Sequence, residues 1–149
     1  MTRIVEVGEK ETTEREAVAE AVITMTPEAC AQLVAGTPKG DPLEAARIAG
    51  VMATKRTPDL LPFCHPIAIT GAEVRVEPDT NAGTIRVQAT VRATDRTGVE
   101  MEAMTAAAVG ALCLYDTAKP YDRAAVISGV RLLEKKGGKS GRYVAEPGG

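Results

Sequence analysis

From Arg15 to Met25 the chain alternates, with Ala17, Ala19, Ala21, Ile23 and Met25 falling on one side at period two, which predicts a strand. Thr26-Pro27-Glu28 reads as an N-cap followed by a proline in the first helical turn, and Gly36 as a stop, so a short helix is predicted over 27–35. Asp41-Pro42-Leu43-Glu44 repeats the device, with an acid three positions past the cap, and predicts a helix to about Ala53. Thr57-Pro58-Asp59 predicts one further, separate turn.

Residues 67–77 and 84–94 are rich in Ile, Val and Thr and flank Pro78-Asp79-Thr80-Asn81-Ala82-Gly83, the pattern of a hairpin. Thr97-Gly98-Val99-Glu100 reads as a capping box that opens an Ala-rich helix to about Thr117. Its Met101, Met104, Val109, Leu112 and Leu114 occupy most of the circumference, which predicts burial and a contact between subunits. Residues 125–133 predict another strand and 142–145 a short last one. Strands and helices come in blocks without regular βαβ alternation, so the expected fold is a single α+β domain over 1–149, with a mainly antiparallel sheet and helices on one face.

Composition narrows the function classes. The chain is 44% hydrophobic and 26% charged, as in soluble globular proteins. Only 3% is aromatic, too few rings for the stacking platforms that hold single-stranded nucleic acid. The net charge of −2 is unevenly spread: Lys119, Arg123, Arg131, Lys135, Lys136, Lys139 and Arg142 against Asp122 and Glu134 make 119–142 +5, leaving −7 elsewhere. Such asymmetry points to a localised anionic ligand, not a nucleic-acid surface. Cys30, Cys64 and Cys113 are odd in number and form no C-x-x-C pair, which excludes a disulfide framework or structural zinc and fits a reducing cytoplasm. No targeting segment or membrane span is read, since no apolar run reaches the needed length.

His65 is the one imidazole, held between Pro62 and Pro66 where the ring-restricted backbone suits a presented side chain. Lys135-Lys136-Gly137-Gly138-Lys139-Ser140-Gly141 contains Gly-Lys-Ser but fails as a P-loop, because Leu133 stands where the first glycine is needed and too few residues follow for a helix. What remains is a glycine turn with ammonium groups suited to phosphate oxygens, expected to close over its ligand. Asp116 lies near a helix C-terminus, where the dipole disfavours an anion, and Lys119 three residues on supplies a countercharge; such a pair can divide base and acid roles. Pro120 is expected to push the backbone of Lys119 toward extended conformations. Lys39-Gly40-Asp41 can aim an ammonium at phosphate just before a helix start.

Taken together, Arg15-Glu16-Ala17, Lys39-Gly40-Asp41, Cys64-His65-Pro66, Gly98-Val99-Glu100-Met101-Glu102-Ala103, Tyr115-Asp116 with Lys119, and Arg131 through Gly141 resemble, in one collinear order, the cyclic pyranopterin monophosphate synthase family, molybdenum cofactor biosynthesis protein C. The resemblance implies a ferredoxin-like α+β fold, a hexamer built as a trimer of dimers, and active sites at a subunit interface. It implies a lyase that converts 3′,8-cyclo-7,8-dihydro-GTP to cyclic pyranopterin monophosphate with release of pyrophosphate, with no resident cofactor or protein-held metal and with Mg²⁺ entering only on the triphosphate. By the same resemblance Asp116 is the general base, Lys119 the general acid, and Lys39 assists proton transfer or neutralises phosphate. Phe63, Cys64, His65, Glu100, Met101 and Glu102 contact the substrate, and Arg15, Lys135 and Lys139 bind its phosphates. Relatives commonly carry Leu where this chain has Phe63, and Met-Cys where it has Thr117-Ala118, so no thiol is needed there. The competing reading is a non-catalytic sensor of nucleotide phosphate, which would not demand Asp116 and Lys119 together.

Overall fold

The computed structural model describes residues 2–8, 11–139 and 141–147. The elements run β1 (Thr13–Thr24), α1 (Pro27–Ala35), α2 (Pro42–Leu60), β2 (Ile69–Asp79), β3 (Thr84–Asp95), α3 (Glu100–Ala118), β4 (Val126–Lys136) and β5 (Tyr143–Val144). The strands form one sheet in the order β2-β3-β1-β4-β5, every pair antiparallel. Without the edge strand β5 this is the ferredoxin-like arrangement, with the first strand central and the last beside it. The α+β expectation and the period-two pattern both hold: Ala17, Ala19, Ala21 and Ile23 are fully buried against the helices.

Small residues set the spacing of the helical layer. Gly50 of α2 lies against Ala106 of α3 and Gly110 of α3 against Ala46 of α2, with Ala53, Ala103 and Ala107 also buried, and the interior is filled by Ile23, Leu33, Ile85, Val87, Val91 and Leu114. A methyl group at Gly50 would lie 2.9 Å from a Val74 methyl and 3.1 Å from the Ala106 carbonyl oxygen; at Gly110 it would lie 2.9 Å from a Val87 methyl. The two helices therefore pack so closely that these positions accept no side chain without displacement.

Four sequence expectations need correction. Helix α2 does not stop at Ala53 but runs through Pro58 to Leu60. Thr54 and Thr57 are buried on its inner face, and their hydroxyls donate to the carbonyls of Val51 (2.7 Å) and Ala53 (2.9 Å), so packing outweighs the one hydrogen bond the proline deletes. Helix α3 starts at Glu100 with Val99 as N-cap and no side-chain cap, so the Thr97 capping box does not form; the fully buried Val99 anchors the entry instead. Within the single chain Met101 and Leu112 are the exposed large apolar residues of this helix. Lys119 is helical (φ −56°, ψ −32°), because its N–H bonds to the Tyr115 carbonyl at 2.9 Å and the turn beyond Pro120 closes on Ala118.

The last correction concerns β4, which extends to Lys136, so Lys135 and Lys136 are strand residues and not part of the glycine turn. Its pairing with β1 slips twice, between Val18 and Ala19 and between Glu20 and Val22. Ala17 faces Lys135 and Ala19 faces Leu132, so the first slip leaves Leu133 as an extra residue. With strict alternation Lys135 would share a face with Leu133 and point away from the helices; the bulge turns it to the helical side and sends Lys136 to the opposite face. There Lys136 pairs with Glu16 (3.5 Å), whereas Lys135 reaches Glu100 of α3 (3.6 Å). The second slip lies at Gly129, whose φ of 63° suits the bulge.

Candidate functional site

At the N-terminal end of α3 two cavities meet. The first, about 540 Å³, is lined by Arg15, Lys135 and Lys139 with Glu100, Gly98 and Gly138. The second, about 250 Å³, is lined by Phe63, Cys64, His65, Met101, Glu100 and Glu102. They share Thr97, Gly98 and Glu100, so a cationic groove opens into a pocket holding the imidazole and two carboxyl groups.

Arg15 and Lys135 are aimed by local structure. Arg15 donates from Nε to the Asp95 carbonyl (3.3 Å), and its guanidinium passes over bare Gly138, where any Cβ would collide with it. Gly138, at φ 78°, thus combines a backbone conformation that side-chain-bearing residues rarely adopt with the space the arginine needs. Gly137 and Gly138 lie against Glu14 and Arg15, so this part of the turn is folded onto the groove. Ser140 of that motif lies outside the described residues. Glu100, freed from a capping role, folds back over Gly98 and balances Lys135 at 3.6 Å.

The two glutamates differ sharply. Glu100 is partly exposed, whereas Glu102 is 2% exposed, with Oε2 buried and unpartnered. Burial pushes the Glu102 carboxyl up to about 7, assisted by the nearby charges of Glu100 and Asp95 and opposed by its own backbone N–H. Burial also raises the Cys64 thiol, with Glu102 adding to the effect. Among the described residues no three of His, Cys, Asp and Glu converge as a metal cage.

A second cluster forms at the other end of α3. Asp116 Oδ1 accepts from Lys119 Nζ at 2.8 Å, and Lys39 Nζ lies 3.8 Å from Asp116 Oδ2. Lys39 is held by a tight turn in which Thr37 and Gly40 exchange backbone bonds of 3.1 and 2.9 Å, immediately before Asp41 caps α2. The Lys119 hydrogen bond, then the charges of Lys119 and Lys39, hold the Asp116 carboxyl below the usual aspartate range. The cluster is exposed on all three sides.

The structure therefore brings together nine of the candidate residues at one end of α3 and the remaining three at the other. Sixteen residues separate Glu100 from Asp116 along one continuous helix, a span of roughly 24 Å at ~1.5 Å per residue. Sequence reasoning missed Thr97 and Gly98, which join the two cavities, and the Thr37 turn that presents Lys39. It also missed Lys55 and Thr54, which line a third cavity behind Glu102; only the basic run Thr54-Lys55-Arg56 preceding His65 hinted at them.

A ferredoxin-like domain whose arginine- and lysine-lined groove opens into a pocket with an imidazole and a buried carboxyl has the lining of a small-molecule site. Comparison with known proteins narrows the class: a family model described as MoaC family matches residues 4–138, and the chain belongs to that family. A cyclic pyranopterin monophosphate synthase from Pelotomaculum thermopropionicum is 51% identical over 142 residues, covering 95% of this chain and 84% of the relative. One from Brucella ovis is 51% identical over 146 residues (97% and 88%) and one from Roseiflexus castenholzii 50% over 145 (97% and 92%).

Proposed function

We propose that this chain is a cytoplasmic cyclic pyranopterin monophosphate synthase of molybdenum cofactor biosynthesis, acting on 3′,8-cyclo-7,8-dihydro-GTP and expelling pyrophosphate. The observation that carries the reading is the continuity of the Arg15–Lys135–Lys139 groove with the His65–Glu102 pocket. Phosphates lie in the groove, where ammonium and guanidinium groups stabilise charge as pyrophosphate leaves. The purine-derived rings lie against Phe63, Cys64, His65 and Met101, with Glu100 and Glu102 reading their polar edge. No resident metal or cofactor is required; Mg²⁺ arrives with the triphosphate.

Asp116, Lys119 and Lys39 complete this site from a neighbouring protomer, since ~24 Å of helix separates them from the groove of their own chain. The exposed Met101 and Leu112 on α3 supply apolar area for that contact, and the assembly is a hexamer of three dimers. Between two ammonium groups Asp116 is an anion at neutral pH and a weak base. Substrate phosphate that draws Lys39 away strengthens it, while Lys119 returns protons to the rings.

The test adds purified protein to the cyclised GTP derivative and follows pyrophosphate and pterin. A sensor of nucleotide phosphate would bind and form neither. The shared site is tested by mixing His65→Ala with Lys119→Ala protein, each inactive alone: random reassembly restores about a quarter of the sites if the two clusters come from different protomers. A mixture as inactive as its parts overturns the two-protomer site.

A further inference from the structure

Glu102 stands between two cavities. On one side is the pocket with His65; on the other is a cavity of about 290 Å³ lined by Thr54, Lys55, Pro58, Pro66, Ile67 and Ile69. The rear cavity reaches solvent past Lys55 and Pro66, both exposed. Its carboxyl is almost wholly buried, and Oε2 has no hydrogen-bond partner. Among the described residues it forms no ion pair, although the salt bridges of the neighbouring Glu100 and of Glu16 and Glu20 are all made. A buried carboxyl left without a cation is costly as an anion and stable as a neutral acid.

We propose that Glu102 is the proton reservoir of the ring-rearranging site, donating from its carboxyl to a ring nitrogen of the bound substrate and being reloaded by water through the rear cavity. The inference rests on the synthase reading of the same site. In the forward step the O–H bond breaks and an N–H bond forms on the substrate, with the electron pair left on Glu102 as carboxylate. A water in the rear cavity then restores the proton and passes its hydroxide to solvent. The arrangement solves a problem that the pocket poses: once a nucleotide fills the front cavity, protons can no longer enter that way.

The titratable and charged groups around Glu102 come from four parts of the fold, and the acids among them support this assignment. Lys55 comes from α2, Cys64 and His65 from the segment before β2, Asp95 from the end of β3 and Glu100 from its own helix. The two acids hold the proton on Glu102, and burial, the largest effect, sets its affinity near neutrality, where donation and reloading are both rapid.

Glu102→Gln keeps the shape and removes the proton. Its substrate affinity stays close to that of the parent, measured by equilibrium titration, while the single-turnover rate falls about a hundredfold or more. The limb of the pH–rate profile that declines as pH rises through about 7 disappears with it. A Gln variant with the parent rate, or one that keeps that limb, overturns the proposal. Ile69→Phe, which fills the rear cavity from the side away from the substrate, leaves the first turnover unchanged and slows later ones roughly tenfold; equal rates for first and later turnovers refute reloading from behind. Should the Gln variant not fold, carbon NMR of glutamate-labelled parent protein without substrate decides, since one buried carboxyl must titrate near neutrality. If the parent forms no pterin at all, the synthase reading fails and the carboxyl titration still stands; if it forms pterin and Glu102→Gln does so equally, only the reservoir fails.

Discussion

The charge state of Glu102 has a consequence for folding that is independent of any substrate. In the unfolded chain its carboxyl titrates at the ordinary glutamate value of 4.5, and in the folded protein burial raises it to about 7. Between these values the folded state holds a proton that the unfolded state has released, so stability falls as pH rises. The contribution is fully present below pH 4.5 and is lost by about pH 7; over that rise, at ~1.4 kcal/mol per pH unit, the loss is about 3 kcal/mol. Glu102→Gln, neutral in both states, removes that component of the pH dependence. Urea denaturation of parent and variant at equal protein concentration, at pH 5, 6, 7 and 8, measures it as the difference between the two curves. The variant gains on the parent steadily up to about pH 7, and the gap then levels off. Parallel curves across that interval would refute the argument, because they require a carboxylate already ionised, and hence a cationic partner or solvent access that its surroundings do not provide.

Lys119→Ala abolishes pterin formation and leaves the oligomer's size unchanged in sedimentation; retained product contradicts its role as acid. Gly110→Ala gains about 1 kcal/mol of helix propensity, but its methyl meets Val87 at 2.9 Å, and overpacking costs about 1–3 kcal/mol, so thermal melting shows a net loss. Thr26→Ala deletes the hydroxyl that accepts from the Ala29 N–H at 3.1 Å and lowers stability by about 1 kcal/mol, read as a shift of the denaturation midpoint without loss of activity.

Local rules made much of this fold legible. Alternation located β1, the Pro-Asp…Gly turn located the hairpin, and Thr26 and Asp41 cap the helices they were expected to cap. Where the reading erred, a tertiary effect overrode a local one. Buried threonines carry α2 past a proline, and buried Val99 replaces a polar cap on α3. The site residues were legible through their ordered resemblance to a family, yet their placement only in part. The helix read from the Thr97–Glu100 segment to about Thr117 already carried both Glu102 and Asp116, and α3 bears that out, but no pattern in the chain states that Leu133 is the unpaired residue of a bulge. That follows from strand register, which exists only once the strands are paired.

That bulge gives the strand a spare residue. An in-frame deletion of codon 133 would restore simple alternation along β4 with Ala19 still facing Leu132 and Ala17 still facing Lys135, so the ammonium would stay on the helical side beside Glu100. Replacing Leu133 by another apolar residue would likewise leave both where they are. Loss of this one codon is thus a milder lesion than the same loss in a strand without a bulge, where every residue beyond the gap changes faces.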